Sequence, residues 1–484
     1  MNRWFPYVSH RQAARPRPLR AGRLLFLLWA VLASNAGLAV DGCDPQFVDG
    51  EPSGARFLVR PTGGDDTPNL QCALDAAAET SATVRLQPGE YRVGFLEASD
   101  FDGRLEGAGM DRTQLLLEPG ALDCAGLRAA GRRTAPLKFV GGSATLRWLE
   151  IRAAGEAPLC ADGSEAAAFV HFTGPPASTE CPAAFSFGAV ERVRLVSPGR
   201  QGLNRGIGVL FIAEPAAGDC LPTLGGRATV LRSEFREFTT SVRVEMEAGA
   251  HAEIAGSRFV HGTLHATLNS DVLFVSSSGS VRVADNTFES GAAPGRFLYA
   301  VRTAAGDRPG RSDVLIEDNA FSIAAAGNEA TAVLAQVQQD EASAAVTIRG
   351  NRFDVRTTAP DSWAAAVVLR GALLEPNVEE PVVTGNLFAL ASAPGEPALG
   401  VFAESVHRGR VTGNRYAGAG VAVELGDRGF GPVGWFFGSN EGLGGFDGRP
   451  ADIVLPSRSR DNVVGPGQRA RIDDSGSNLV LDEP

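Results

Sequence analysis

A chain of 484 residues, 44% of them hydrophobic, with 58 glycines and 29 prolines, reads as a folded protein rich in turns; this excludes a largely disordered chain and one built of long helices. The formal net charge is −11, and removing the six arginines that precede residue 40 takes it to about −17. A surface of that sign repels nucleic acid, which is therefore not an expected partner, and it repels polyanionic sugars unless a cation or a local basic patch intervenes.

Residues 1–39 carry the marks of an export signal. Six arginines and no acid accompany the apolar run "LLFLLWAVLA" from Leu24, and small residues ending "NAGLA" place cleavage near Ala39. The competing reading is a retained membrane anchor from Leu24 to Val40, a stretch diluted by Ser34, Asn35 and Gly37. A lipid-bearing terminus at Cys43 is disfavoured by Asp41. With the signal removed, the expected location is secreted, periplasmic or cell-surface, without integral membrane association. Cys43, Cys72, Cys124, Cys160, Cys181 and Cys220 all follow the signal, and an even number of cysteines in an exported chain implies three disulfides among 15 connectivities. Cys160 and Cys181 bracket a Gly/Pro-rich excursion and are the favoured pair. A metal site is the alternative, but no C-x-x-C spacing supports it.

Residues 40–140 read as an N-terminal cap and first turns. "DDTPNLQCALDAAAET" predicts one short helix, with Thr67 able to cap, Pro68 at the first helical position, and Leu70, Ala73, Leu74 and Ala77 on one face. β-rich runs cut by Pro-Gly and Gly-x-Gly follow in "TVRLQPGEYRV" and "RLEGAGMDRTQLLLE", and the helix is expected to cover an open end of stacked sheets. Residues 141–484 read as repeats. Asn286, Asn319, Asn351, Asn386 and Asn414 each stand two residues before an aromatic, at spacings of 33, 32, 35 and 28, and Ser257 and Glu234 are assigned the same place in earlier copies. The expected reason is structural: Asn tolerates the left-handed bend of a tight corner, its amides stack along an axis, and the aromatic turns inward.

The helix, "LQPGEY", "LEGAGMDRTQL" and the repeated "GNxF" turns together resemble the right-handed parallel β-helix proteins of the pectin-lyase-like superfamily, over roughly residues 55–480. The resemblance implies an all-β, single-stranded right-handed parallel β-helix, a solenoid with a short N-terminal capping helix. It also implies a substrate groove on the outward face of the long strand of each turn. Alternation with Val242, Val244 and Met246 inward puts Arg243, Glu245 and Glu247 outward, followed on later strands by Asp271, Arg302, Gln336, Gln338, Arg370, Glu404 and Glu424. Arg370, Glu404 and Glu424 form the candidate catalytic constellation, with Arg243, Glu245, Gln336 and Gln338 as candidate substrate-binding residues. Paired carboxylates a few ångströms apart suit glycosidic bond cleavage; with a Ca²⁺ ion and a nearby Arg they suit elimination from a uronate. The competing reading is a solvated polar sheet surface, and a register slip of one residue would exchange the faces.

His251, His261 and His265 could meet around Asp271 for metal or acid/base work, but the favoured reading is three unrelated surface histidines; His171 and His407 stand alone. Several superfamily signatures are absent: Val93 stands where the esterase-like G-x-Y-x-E pattern has Glu, and "NTD", "GHG", "RIK" and "DPHE" do not occur. Lys138 is the only lysine, which disfavours a lysine base and leaves arginine available. Two functions follow as expectations. One is an exported protein that binds, and as a lyase or glycoside hydrolase cleaves, an extracellular polysaccharide. The other is a non-catalytic surface or matrix scaffold displaying loops of irregular length.

Overall fold

The computed structural model describes residues 38–40, 42–51, 55–164, 166–174, 184–197, 206–212, 224–246, 249–261, 268–276, 278–290, 297–305, 310–327, 329–337, 342–372, 378–393, 397–426, 432–442, 452–465 and 472–481. The export-signal reading, together with Cys181, Cys220, Glu247, His265 and Gln338, lies outside these residues apart from Leu38 and Ala39. No helix among the described residues is long and apolar enough to cross a membrane.

Short β-branched and aromatic runs punctuated by Gly, Asn and Asp fold into a parallel β-helix. Three sheets, A, B and C, contain 17, 11 and 13 strands among the described residues. Strands of successive turns pair in parallel, as Ser280–Ala284 with Gly310–Glu317 in sheet A, Thr287–Ser290 with Ala320–Ala325 in B, and Phe297–Ala305 with Glu329–Val337 in C, whereas Val48–Gly50 and Arg56–Val59 at the start of sheet A pair antiparallel. Parallel neighbours joined by crossovers take the right-handed sense.

The corner between A and B is the asparagine turn, and its chemistry is divided between two residues. The left-handed backbone belongs to the residue before the Asn: Asp285, Asp318, Gly350, Gly385 and Gly413 have φ of 56°, 55°, 67°, 64° and 62°. The Asn itself is buried. Asn286, Asn319, Asn351, Asn386 and Asn414 each donate from Nδ2 to the Oδ1 of the next Asn at 3.0 Å, the last of these bonds reaching Asn440. Each Oδ1 also accepts the preceding turn's backbone N–H, as from Asn319 to Asn351 at 2.9 Å. In the earlier copies serine holds this place: Ser233 N–H donates to Ser257 Oγ, and Ser257 N–H to Asn286 Oδ1. The position assigned to Glu234 is therefore that of Ser233, because Glu234 begins the next strand.

The aromatic two residues on enters the core. Phe235, Phe259, Phe288, Phe321, Phe353, Phe388 and Tyr416 form one stack with ring centroids 4.7–5.1 Å apart, the strand spacing of the sheet itself. The helix Thr67–Ala78 buries Leu70, Ala73, Leu74 and Ala77 as predicted. Its cap position is Asp66 rather than Thr67. The Asp66 carboxylate instead accepts the N–H groups of Thr62 at 2.7 Å and Arg92 at 2.9 Å, tying the helix to the first turns.

Two disulfides are described, Cys43–Cys72 and Cys124–Cys160. The expected Cys160–Cys181 pair is corrected. A bridge between Leu122 and Cys160 brings successive turns together, and Cys124 and Cys160 have their Cα atoms 5.4 Å apart, 36 residues apart in the chain, about one turn of the coil. Pairing follows the coil rather than the loop that the cysteines bracket.

Candidate functional site on sheet C

From Arg227 to Arg349 on sheet A and from Glu150 to Glu289 on sheet B, the outward faces are occupied by cross-strand charge pairs. On A, Arg227, Glu253, Arg282, Glu317 and Arg349 form a cross-strand ladder with contacts of 3.0, 3.2, 2.8 and 2.6 Å. The hydrogen bond from Arg349 is the main cause holding the Glu317 carboxyl below its usual range, and the bond to Glu317 raises Arg282. On B, Arg194 bridges Glu150 and Glu234 at 3.1 and 2.8 Å, and Arg258 continues from Glu234 to Glu289. Such ladders neutralise the groups that a ligand would otherwise address.

Sheet C differs because its long strands do not alternate throughout. Two consecutive residues turn inward in each: Ala300 and Val301, Ala332 and Val333, Ala366 and Val367, and Ala422 and Val423 all belong to the main core. Tyr299, Leu334, Val368, Leu399 and Val421 form a separate cluster on the other face, with Trp363 and Phe402 packed against it. This double-inward step corrects the placement of Asp271, which is turned inward beside Val272 and is 1% exposed. There it pairs with His261 Nε2 and accepts from Ser241 Oγ at 3.2 Å. His251 lies on sheet A, bonded to Ser280 Oγ at 2.8 Å, so the three histidines do not converge on Asp271.

After the step, alternation resumes and two outward columns run along the coil. One contains Glu245, Val275, Ala304, Gln336, Arg370 and Glu404; the other contains Arg243, Leu273, Arg302, Leu334, Val368, Phe402 and Glu424. Arg370 Nε donates to Glu404 Oε2 at 3.0 Å. Glu424 is opposite Phe402 rather than Glu404. One strand spacing and a two-residue offset put the two glutamate Cα atoms about 8 Å apart. Arg243 and Glu245 form their own ion pair, and three strand spacings leave Glu245 roughly 14 Å from Gln336.

Sequence reasoning missed the aromatic and hydroxyl groups between these charges. Tyr299 Oη donates to Glu329 Oε1 at 3.1 Å. Burial, then the charge of Glu329, pushes its phenol up to about 12. Trp363 meets Phe402 edge-on at 5.9 Å. Arg302 Nε, Thr331 Oγ1 and Gln336 Nε2 are buried without a hydrogen-bond partner. Farther toward the N-terminus, the column of Arg243 continues through Leu210 and His171 to Lys138 and Glu97. Lys138 Nζ lies 3.8 Å from Glu97 Oε2, and His171 Nε2 is 2.9 Å from the Ile212 carbonyl. The signal for that cluster was the lone lysine inside an apolar strand.

Among the described residues, no group of three or more His, Cys, Asp or Glu side chains is placed to hold a metal ion. The Arg370–Glu404–Glu424 set fits Ca²⁺ poorly, because Glu404 already accepts from a guanidinium that would repel the cation.

No family model and no curated protein matches the chain. Among solved structures it is similar to the Dettilon tailspike protein, at 13% identity and TM-score 0.45 over 88% of this chain and 68% of that one. It is also similar to the A-module of mannuronan C-5 epimerase AlgE6 from Azotobacter vinelandii, at 17% and 0.41 over 86% and 95%. A third similar structure is the catalytic unit of the GH87 alpha-1,3-glucanase of Streptomyces thermodiastaticus, at 13% and 0.35 over 89% and 70%.

Proposed function

We propose that this chain is an exported protein that binds an extracellular polysaccharide across the outward face of sheet C, between Arg243 and Glu424. The observation that carries the reading is the contrast between faces. Sheets A and B carry cross-strand charge ladders, whereas C places the rings of Tyr299, Trp363 and Phe402 beside the charged groups of Arg302, Arg370 and Glu404. A sugar offers apolar C–H faces to rings and hydroxyl edges to polar groups, and sites of this kind pair a mostly apolar lining with a few placed polar groups. The two disulfides support an oxidising compartment.

In the catalytic form of this reading, Glu404 and Glu424 flank the scissile bond. A Cα separation of about 8 Å is compatible with carboxyl groups roughly 6.5–9.5 Å apart, which leave room for an attacking water. Arg370 then acts on Glu404 as a positioning residue. In the scaffold form, the same face binds without turnover.

The test is a screen of the purified chain against neutral and uronic polysaccharides, with Ca²⁺ or with a chelator, reading binding, reducing ends and the ultraviolet absorbance of unsaturated products. New ends with absorbance identify elimination; new ends without it identify hydrolysis. Arg370→Ala is expected to weaken binding at least tenfold. Glu424→Gln is expected to abolish any turnover with little loss of binding. A folded protein that binds nothing in the panel would overturn the proposal.

A further inference from the structure

The charge ladder on sheet A stops at a bulge. Val378–Thr384 pairs with Ala342–Arg349 in one register at Ala345 opposite Glu379 and in another at Thr347 opposite Val382, so Glu380 and Pro381 face a single residue. Proline is tolerated there because the bulge requires no ladder donor. Glu380 takes φ +40°, a left-handed conformation that non-glycine residues rarely enter. The break in alternation leaves Glu379 and Glu380 both exposed.

Beside them opens a cleft of about 640 Å³ lined by Arg311, Thr347, Glu379, Glu380, His407 and Arg408. Arg311 Nη1 is 3.0 Å from Glu379 Oε2, and Arg408 Nη1 is 3.9 Å from Glu380 Oε1, too long for a hydrogen bond. Exposed pairs of this kind contribute little stability. Stability therefore does not account for two arginines and two glutamates around one bulge, whereas it does for the buried Glu317 of the neighbouring ladder.

We propose that this cleft is a second saccharide-binding site, and that it takes an uncharged sugar unit. The proposal rests on the polysaccharide reading for its class of ligand, but uses none of the residues on sheet C. Two guanidiniums and two carboxylates leave the lining with no net formal charge, apart from whatever charge His407 carries. Sugar hydroxyls donate to the carboxylates and accept from the guanidiniums, and hydrogen bonds with one charged partner are the stronger kind. An acidic sugar would meet Glu379 and Glu380, and an amino sugar would meet Arg311 and Arg408. The volume lies within the roughly 300–1,000 Å³ of small-molecule sites. Because the cleft is on A and the first site on C, both can be filled at once, and a polymer engaging both would gain avidity without any new contact.

The experiment is calorimetric titration of the purified full chain with maltohexaose, cellohexaose and laminarihexaose, repeated with a uronic hexasaccharide. The variants are Arg408→Ala, the double variant Glu379→Gln/Glu380→Gln, and Arg370→Ala on the other face. The expected result is that at least one neutral hexasaccharide binds with a component that both cleft variants weaken tenfold or more and that survives in Arg370→Ala, which removes only the sheet C component. Arg408 is 76% exposed in its side chain, so its replacement is expected to leave the thermal midpoint unchanged and keeps the test readable if the double variant misfolds. Neutral binding that only Arg370→Ala removes would sustain the sheet C reading and overturn this one. Absence of neutral binding, or tighter binding of the uronic probe at the cleft, would also overturn it.

Discussion

The asparagine corner shows how much one residue type carries in a coil. Asn351 donates to Asn386 Oδ1 and to the carbonyls of Ile316 and Arg349, each at 3.0 Å, while its own Oδ1 accepts both nitrogens of Asn319. Replacing it with Ala leaves a buried backbone N–H and several acceptors unmet, at about 1–3 kcal/mol for each group not reached by water. Asn351→Ala is therefore expected to destabilise by about 3 kcal/mol or more in urea unfolding at unchanged m-value. Asn351→Ser should cost less, because Ser233 and Ser257 already hold this place in the earlier turns. Equal losses for the two would mean that the ladder does not carry the stability. The motif was legible because Asn and an aromatic recur at a fixed offset. The division of labour was not, since Asp285 and Gly350 also fit the turn and only backbone angles show that they, rather than the Asn, adopt the left-handed bend.

On the scale of the strand, simple alternation reproduces the outward face of sheet C on one side of a step and misses the step itself. Simple alternation holds after the double-inward step, so Arg243, Glu245, Gln336, Arg370, Glu404 and Glu424 all fall on outward columns. It fails before the step, where small residues such as Ala300, Ala332 and Ala366 let the backbone turn two side chains inward in succession. Alanine there resembles ordinary core, and nothing in composition marks the step. Asp271 occupies that inward position, which makes its pairing with His261 structural. Removing His261 leaves the buried Asp271 carboxyl with the Ser241 hydroxyl as a remaining donor, and a buried polar group left short of a partner costs about 1–3 kcal/mol. His261→Ala is thus expected to lower the urea midpoint while leaving the proposed polysaccharide binding by the residual folded protein unchanged. A stable His261→Ala chain that no longer binds would move the functional site to this corner.

Across the whole molecule, stacked turns make stability close to a sum of nearest-neighbour terms, so a perturbation distributed along the coil tests it better than one at a single end. The tyrosines supply such a perturbation. Tyr91 lies in the first turns, bonded to the carbonyls of Val59 and Gln87 at 2.8 and 3.0 Å; Tyr299 lies on sheet C; and Tyr416 ends the Phe388 stack. Burial is the main cause raising all three phenols above the ordinary value of 10.0, with Asp66 adding to Tyr91 and Glu329 to Tyr299, which reaches about 12. A group whose folded pKa is raised contributes stability in full below its unfolded pKa and loses it as pH rises through the folded value. Stability is therefore expected to hold through neutral pH and to fall steadily above about pH 10. In the folded chain, phenolate absorbance from these three residues should be absent near pH 10 and appear cooperatively with unfolding, whereas the urea-unfolded chain titrates near 10. Independent phenolate formation at pH 10 in a chain that keeps its circular dichroism would show that the ends and middle of the coil are open to water, and would remove burial as the common cause.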